Sequence, residues 1–94
     1  MLISATNLKQ IKLSRNKITN EGIRTLCEAL LYSNVQMIDL SYNDLTDNVL
    51  DSLCLLVENN RKVKGISIKG AKIDPKSRVK MIAQFKSCGV LLDV

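Results

Sequence analysis

Apolar positions recur along this chain in two alternating rhythms. Pairs two residues apart, Ile11/Leu13, Ile38/Leu40 and Ile66/Ile68, follow the period of a strand with one buried face. The first two pairs are followed by apolar residues at helical spacing, Ile23, Leu26 and Leu30, then Leu50, Leu53 and Val57; Arg78, Met81 and Phe85 follow the third more loosely, with a charged residue at the first place. The pattern predicts three strand–helix units, with helices near 20–33, 47–59 and 75–87. Thr19, Thr46 and Asp74 stand where each helix begins, and all three are residue types that cap a helix start. Pro75 suits the first helical turn, Asn59-Asn60 stops the second helix, and Gly89 follows the third.

The units align residue by residue. Leu8-Lys-Gln-Ile11-Lys-Leu13-Ser-Arg-Asn16-Lys-Ile18-Thr19 is matched by Val35-Gln-Met-Ile38-Asp-Leu40-Ser-Tyr-Asn43-Asp-Leu45-Thr46, and then by Val63-Lys-Gly-Ile66-Ser-Ile68-Lys-Gly-Ala71-Lys-Ile73-Asp74. A fourth start is visible in Gly89-Val-Leu-Leu92-Asp93-Val94. The whole of 1–94 is expected to form one segment, with units at about 8–34, 35–62 and 63–88 and a partial fourth strand at 89–94. Ile3 falls in register with Leu30 and Val57, as though the chain opened in the last turn of a repeat helix. A piece of a longer repeat protein is the favoured expectation; ends that stack on another chain are the alternative.

The pattern Lxx(L/I)xLxxNx(L/I)T, followed by an amphipathic helix such as Thr19-Asn-Glu-Gly22-Ile23-Arg-Thr-Leu26-Cys27-Glu-Ala29-Leu30, resembles leucine-rich repeats of the ribonuclease-inhibitor type. The resemblance implies an α/β solenoid, a right-handed β-α superhelix of about three repeats with a concave parallel sheet and convex helices. It also implies that Asn16 and Asn43 are buried and bond the neighbouring turn as a ladder. Ala71 stands where that ladder would continue, so it should end there. Cys27 and Cys54 occupy equivalent helix positions and are expected to be structural, mostly buried thiols.

Composition narrows the chemistry. Fourteen leucines, nine isoleucines and seven valines make core formers abundant, and the chain has no histidine. The commonest general base and the commonest zinc ligand are therefore missing. The three cysteines match no zinc spacing, and free thiols point to a reducing compartment. No glycine-rich phosphate loop or activated nucleophile is visible. No enzyme, metal or cofactor is expected. No apolar run is long enough to span a bilayer, and no membrane partner is expected.

The net charge of +5 hides a banded distribution. Residues 35–60 carry five acidic and no basic side chains, whereas 61–94 carry nine basic and two acidic ones. Such banding suits docking on a partner of matching pattern, including an acidic one. The concave face should expose Gln10, Lys12, Ser14, Arg15, Met37, Asp39, Ser41, Tyr42, Gly65, Ser67 and Lys69. Of these, Lys12, Arg15, Met37, Asp39, Tyr42, Ser67 and Lys69 are the candidate partner-binding residues; Arg, Tyr and Met are enriched at interface cores.

The expected function is a non-catalytic protein–protein interaction module, a scaffold or adaptor in a larger cytoplasmic assembly, with cytoskeletal and axonemal assemblies among the candidates. Regulation of an enzyme or GTPase is the alternative that the resemblance implies. A basic nucleic-acid-binding surface ranks below both, because Phe85 is the sole aromatic of the basic third and falls on a core position.

Overall fold

The computed structural model describes residues 9–94. Strands β1 (Gln10–Lys12), β2 (Met37–Asp39), β3 (Gly65–Ser67) and β4 (Leu91–Asp93) alternate with helices α1 (Asn20–Leu30), α2 (Val49–Asn59) and α3 (Pro75–Ser87). The strands form one parallel sheet in the order β1-β2-β3-β4. Ile11, Ile38, Ile66 and Leu92 lie side by side in it, so the repeat alignment of the sequence is also the hydrogen-bonding register. Short parallel strands joined by helical crossovers bury one face, and the alternation exposed–buried–exposed in β1 and β4 follows from that. Ile3 and the expected helical start lie outside the described residues.

A single core fills the space between sheet and helices. Ile23, Leu30, Val35, Leu53, Leu56 and Phe85 are fully buried in it. The helices contribute unequally. Helix α1 packs broadly on α2, while α3 touches α2 over a smaller area. The cause is visible in the sequence of α3, which buries only Met81 and Phe85 and leaves Val79, Ile82 and the core-aligned Arg78 exposed.

Helices α1 and α3 start where expected, and one start and one end differ. Helix α2 begins at Val49, two residues late, and Thr46 does not cap it. Thr46 instead bonds the preceding unit: its Oγ1 accepts from Asn20 Nδ2 at 2.7 Å and its N–H donates to Asn20 Oδ1 at 3.1 Å. A cross-unit clamp has displaced a local cap. Thr19 sits at the cap of α1 without a side-chain bond, whereas Asp74 accepts from the Lys76 N–H at 3.0 Å and caps α3 as expected. Helix α1 stops at Leu30 rather than near residue 33, because Ser33 turns back, its hydroxyl and its N–H both donating to the Leu30 carbonyl.

The asparagine ladder needs one correction. Asn43 is buried and bridges two units. Its Oδ1 accepts from the N–H groups of Asn16 (2.8 Å) and Ile18 (3.0 Å), and its Nδ2 donates to the carbonyls of Leu13 (2.8 Å) and Leu40 (3.0 Å). Asn16 is exposed, its Nδ2 donating to Ser14 O at 3.0 Å. An asparagine here reaches into the turn of the unit before it, and for Asn16 that region lies outside the described residues. At Ala71 the backbone turns on its own, with the Ala71 N–H donating to Ile68 O. A further buried amide, Asn60, was not anticipated. Its Nδ2 donates to Leu30 O (2.9 Å) and Ser33 O (3.0 Å), tying the second helix-to-strand turn to the first.

Of the thiols, Cys27 is buried, but Cys54 is only half-buried and lies 3.8 Å from the Met81 sulfur. Desolvation, helped by Glu28, pushes the Cys27 thiol up to about 12. Burial, then Glu58, Asp51 and Cys88, raises Cys54 as well. The unfolded chain loses the Cys27 proton near pH 9 and the folded chain keeps it, so stability should fall as the pH climbs from 9 toward 12. A thiol-reactive probe at pH 8 should label Cys27 only at the rate of unfolding; fast labelling of Cys27 in the native chain would contradict its burial.

Candidate protein-interaction face

The face of the sheet opposite the core is open to solvent. Gln10 and Lys12 of β1, Met37 and Asp39 of β2, Gly65 and Ser67 of β3, and Leu91 and Asp93 of β4 flank the inward-facing apolar residues. Together they line a shallow hollow of about 220 Å³. Because the register is parallel and in step, Lys12, Asp39, Ser67 and Asp93 form one row across the sheet. Gln10, Met37, Gly65 and Leu91 form the other.

Each row has a distinct character. In the first, Asp39 is already engaged. It accepts from the Ser41 hydroxyl at 2.6 Å and the Ser41 N–H at 3.1 Å, which holds its carboxyl below the usual carboxylate range. This explains why Ser41, expected to be exposed, is buried. Lys69 reaches Asp93 at 3.7 Å across the rim. In the second row Met37 and Leu91 are exposed apolar side chains on either side of Gly65. Gly65, also expected to be exposed, is buried, because Met37 lies over it: a Cβ there would sit 2.9 Å from the Met37 methyl. Leu91 was missed by the sequence reading, although its register with Gln10 and Met37 could have found it.

Beyond the strands, Arg15, Tyr42 and Gly70 occupy equivalent places in successive turns, and all three have left-handed backbone (φ +59°, +57° and +81°). That conformation suits Gly70 and costs a side-chain-bearing residue about 1 kcal/mol or more. Arg15 and Tyr42 adopt it nonetheless, and they stack, the guanidinium carbon 4.5 Å from the ring centroid. On its other side the Tyr42 ring rests against Gly70, where a Cβ would come within 2.9 Å of it. Tyr42 remains half-exposed in this column.

The structure thus brings Lys12, Met37, Asp39 and Ser67 onto one open face, with Arg15, Tyr42 and Lys69 along its rim. Among the described residues, no three cysteine or carboxylate side chains are grouped to hold a metal ion, and no helix is long and apolar enough to cross a membrane.

Comparison with known proteins agrees with the geometry. A leucine-rich repeat family matches residues 4–27. The chain is also 29% identical over 76 residues to mouse NACHT, LRR and PYD domains-containing protein 9B. Over these stretches the chain is similar to leucine-rich repeat proteins. The aligned stretch is 79% of the chain but 8% of that relative. Leucine-rich repeats generally mediate protein–protein interaction and are typically non-catalytic.

Proposed function

We propose that the chain is a non-catalytic scaffold or adaptor module of the ribonuclease-inhibitor subtype, about three repeats of a right-handed superhelix, that holds a protein partner on the open face of its sheet. One observation carries this reading. The repeat turn prefers glycine, yet two of its three occurrences hold Arg15 and Tyr42 stacked at the rim of that face. Side chains kept against a backbone preference, and of types that dominate interface energetics, are better explained by a bound partner than by folding. Met37 and Leu91 supply apolar surface beside them. The free cysteines fit a reducing, cytoplasmic setting.

The test is direct. Affinity purification with the chain as bait, followed by mass spectrometry, identifies the partner. Tyr42→Ala and Arg15→Ala should then each weaken binding about tenfold or more, with the circular dichroism and melting of the chain little changed. Binding unaltered in both variants would sink the open-face reading.

A further inference from the structure

A second surface lies at the edge where helices return to strands. The Lys9 carbonyl accepts from the N–H groups of Gln36 and Met37, the Gln36 carbonyl from Lys64 and Gly65, and the Lys64 carbonyl from Leu91. The residues preceding the strands therefore stand in one row. The turns behind them are tied together in the same order, Asn60 to Leu30 and Ser33, and Lys62 to Asn34. This edge carries Lys9, Arg61, Lys62, Lys64 and Lys86, all exposed. Turn segments 31–36, 60–64 and 86–90 contain no acidic residue, and the nearest in sequence is Glu58, exposed on the last turn of α2. Among the described residues, the two ion pairs, Arg24–Glu28 and Lys69–Asp93, leave all five cations out.

The edge also has relief. Lys64 and Lys86 stand over a hollow of about 240 Å³ whose apolar walls are Val90 and Leu91, with Gly89 opening it. Leu91 is 77% exposed, at the corner between this edge and the open sheet face. A Cβ at Gly89 would meet nothing within 4 Å, so the hollow is open on that side.

We infer that this edge docks an acidic polypeptide segment that places one apolar side chain on Leu91 and carboxylates against Lys64 and Lys86. The charge is complementary, and the exposed Leu91 beside Lys64 and Lys86 suits an apolar side chain set among carboxylates, which a phosphate backbone does not present. Nucleic acid would need a stacking platform, and the edge offers only Tyr32 at its far end. The inference deepens the interaction-module reading by naming a partner chemistry, but it stands on residues separate from the Arg15–Tyr42 column.

The test uses the whole chain and a synthetic peptide of glutamates interrupted by a single leucine. NMR titration should shift the amides of residues 61–64 and 86–91 and leave 38–42 in place, with affinity falling as salt is added. Lys64→Glu with Lys86→Glu should weaken binding about tenfold or more, while Lys17→Glu with Lys72→Glu, the same change in net charge at the opposite edge, should alter it less than about twofold. Leu91→Ser should weaken the leucine-bearing peptide and not an all-glutamate one. Equal losses from both lysine pairs, shifts centred on Tyr42, or tighter binding to phosphatidylserine vesicles or to single-stranded RNA would each overturn the proposal. Loss of partner binding in Tyr42→Ala alone would bear on the open face and leave this edge untouched.

Discussion

Replacing Asn43 with alanine should destabilise the chain by about 3 kcal/mol or more and lower its melting temperature by roughly 15 °C. One side chain here satisfies two N–H groups and two carbonyls, divided between successive units. Alanine leaves the Asn16 and Ile18 N–H groups and the Leu13 carbonyl without that partner in a part-buried turn, where each unmet group costs up to about 1–3 kcal/mol. Asn43→Asp should rescue only part of the loss, since a carboxylate can still accept from the two N–H groups but cannot donate to the carbonyls. Asn16→Ala at the equivalent position should cost less than about 1 kcal/mol, because Asn16 is exposed and, among the described residues, its side chain bonds only its own turn. Urea melts of the three variants decide the matter. Equal losses at Asn16 and Asn43 would mean that the amide is a local turn former rather than a bridge between units.

That contrast shows what a sequence can and cannot convey about a repeat. Periodicity reported the element order and the core, because every apolar position in register had to face the same interior, and the family resemblance implied the parallel pairing: Ile11, Ile38, Ile66 and Leu92 are neighbours both in the alignment and in the sheet. It misplaced features decided between units. Thr46 has the chemistry of a helix cap, but its bonds go to Asn20 one unit away. Asn16 has the repeat's asparagine, but its burial depends on what precedes it. The face of the sheet was legible from alternation alone. Its texture was not: Ser41 disappears under its bond to Asp39, Gly65 under Met37, and Leu91 emerges as the most exposed apolar residue of the sheet. The Arg15–Tyr42 stack depends on left-handed backbone at two positions whose residue types do not announce it, and only Gly70 in the third turn hints at that conformation.

Phe85→Ala should cost about 3–5 kcal/mol, and the damage should be local before it is global. Helix α3 holds to the core by two residues, Met81 and a fully buried Phe85, while α2 buries five and packs on a neighbour at each side. The Phe85 carbonyl also accepts from the Cys88 and Val90 N–H groups, so the same residue anchors the turn into β4. Emptying its site should therefore loosen α3 and β4 together. Hydrogen exchange should accelerate through residues 75–93 while the amides of β2 and α2 keep protection close to that of the native chain. Leu53→Ala in α2, buried just as completely, should by contrast lower protection throughout, because its site lies at the centre of the core. Phe85→Leu keeps most of the volume and should cost only about 1–1.5 kcal/mol. If Phe85→Ala and Leu53→Ala both unfold the chain in one step with uniform exchange, α3 is not a separable unit and the units fold as a single cooperative block. If α3 opens alone, the edge formed by Lys64, Lys86 and Leu91 rests on the least stable part of the fold, and a segment bound there would stabilise α3 and β4 by mass action.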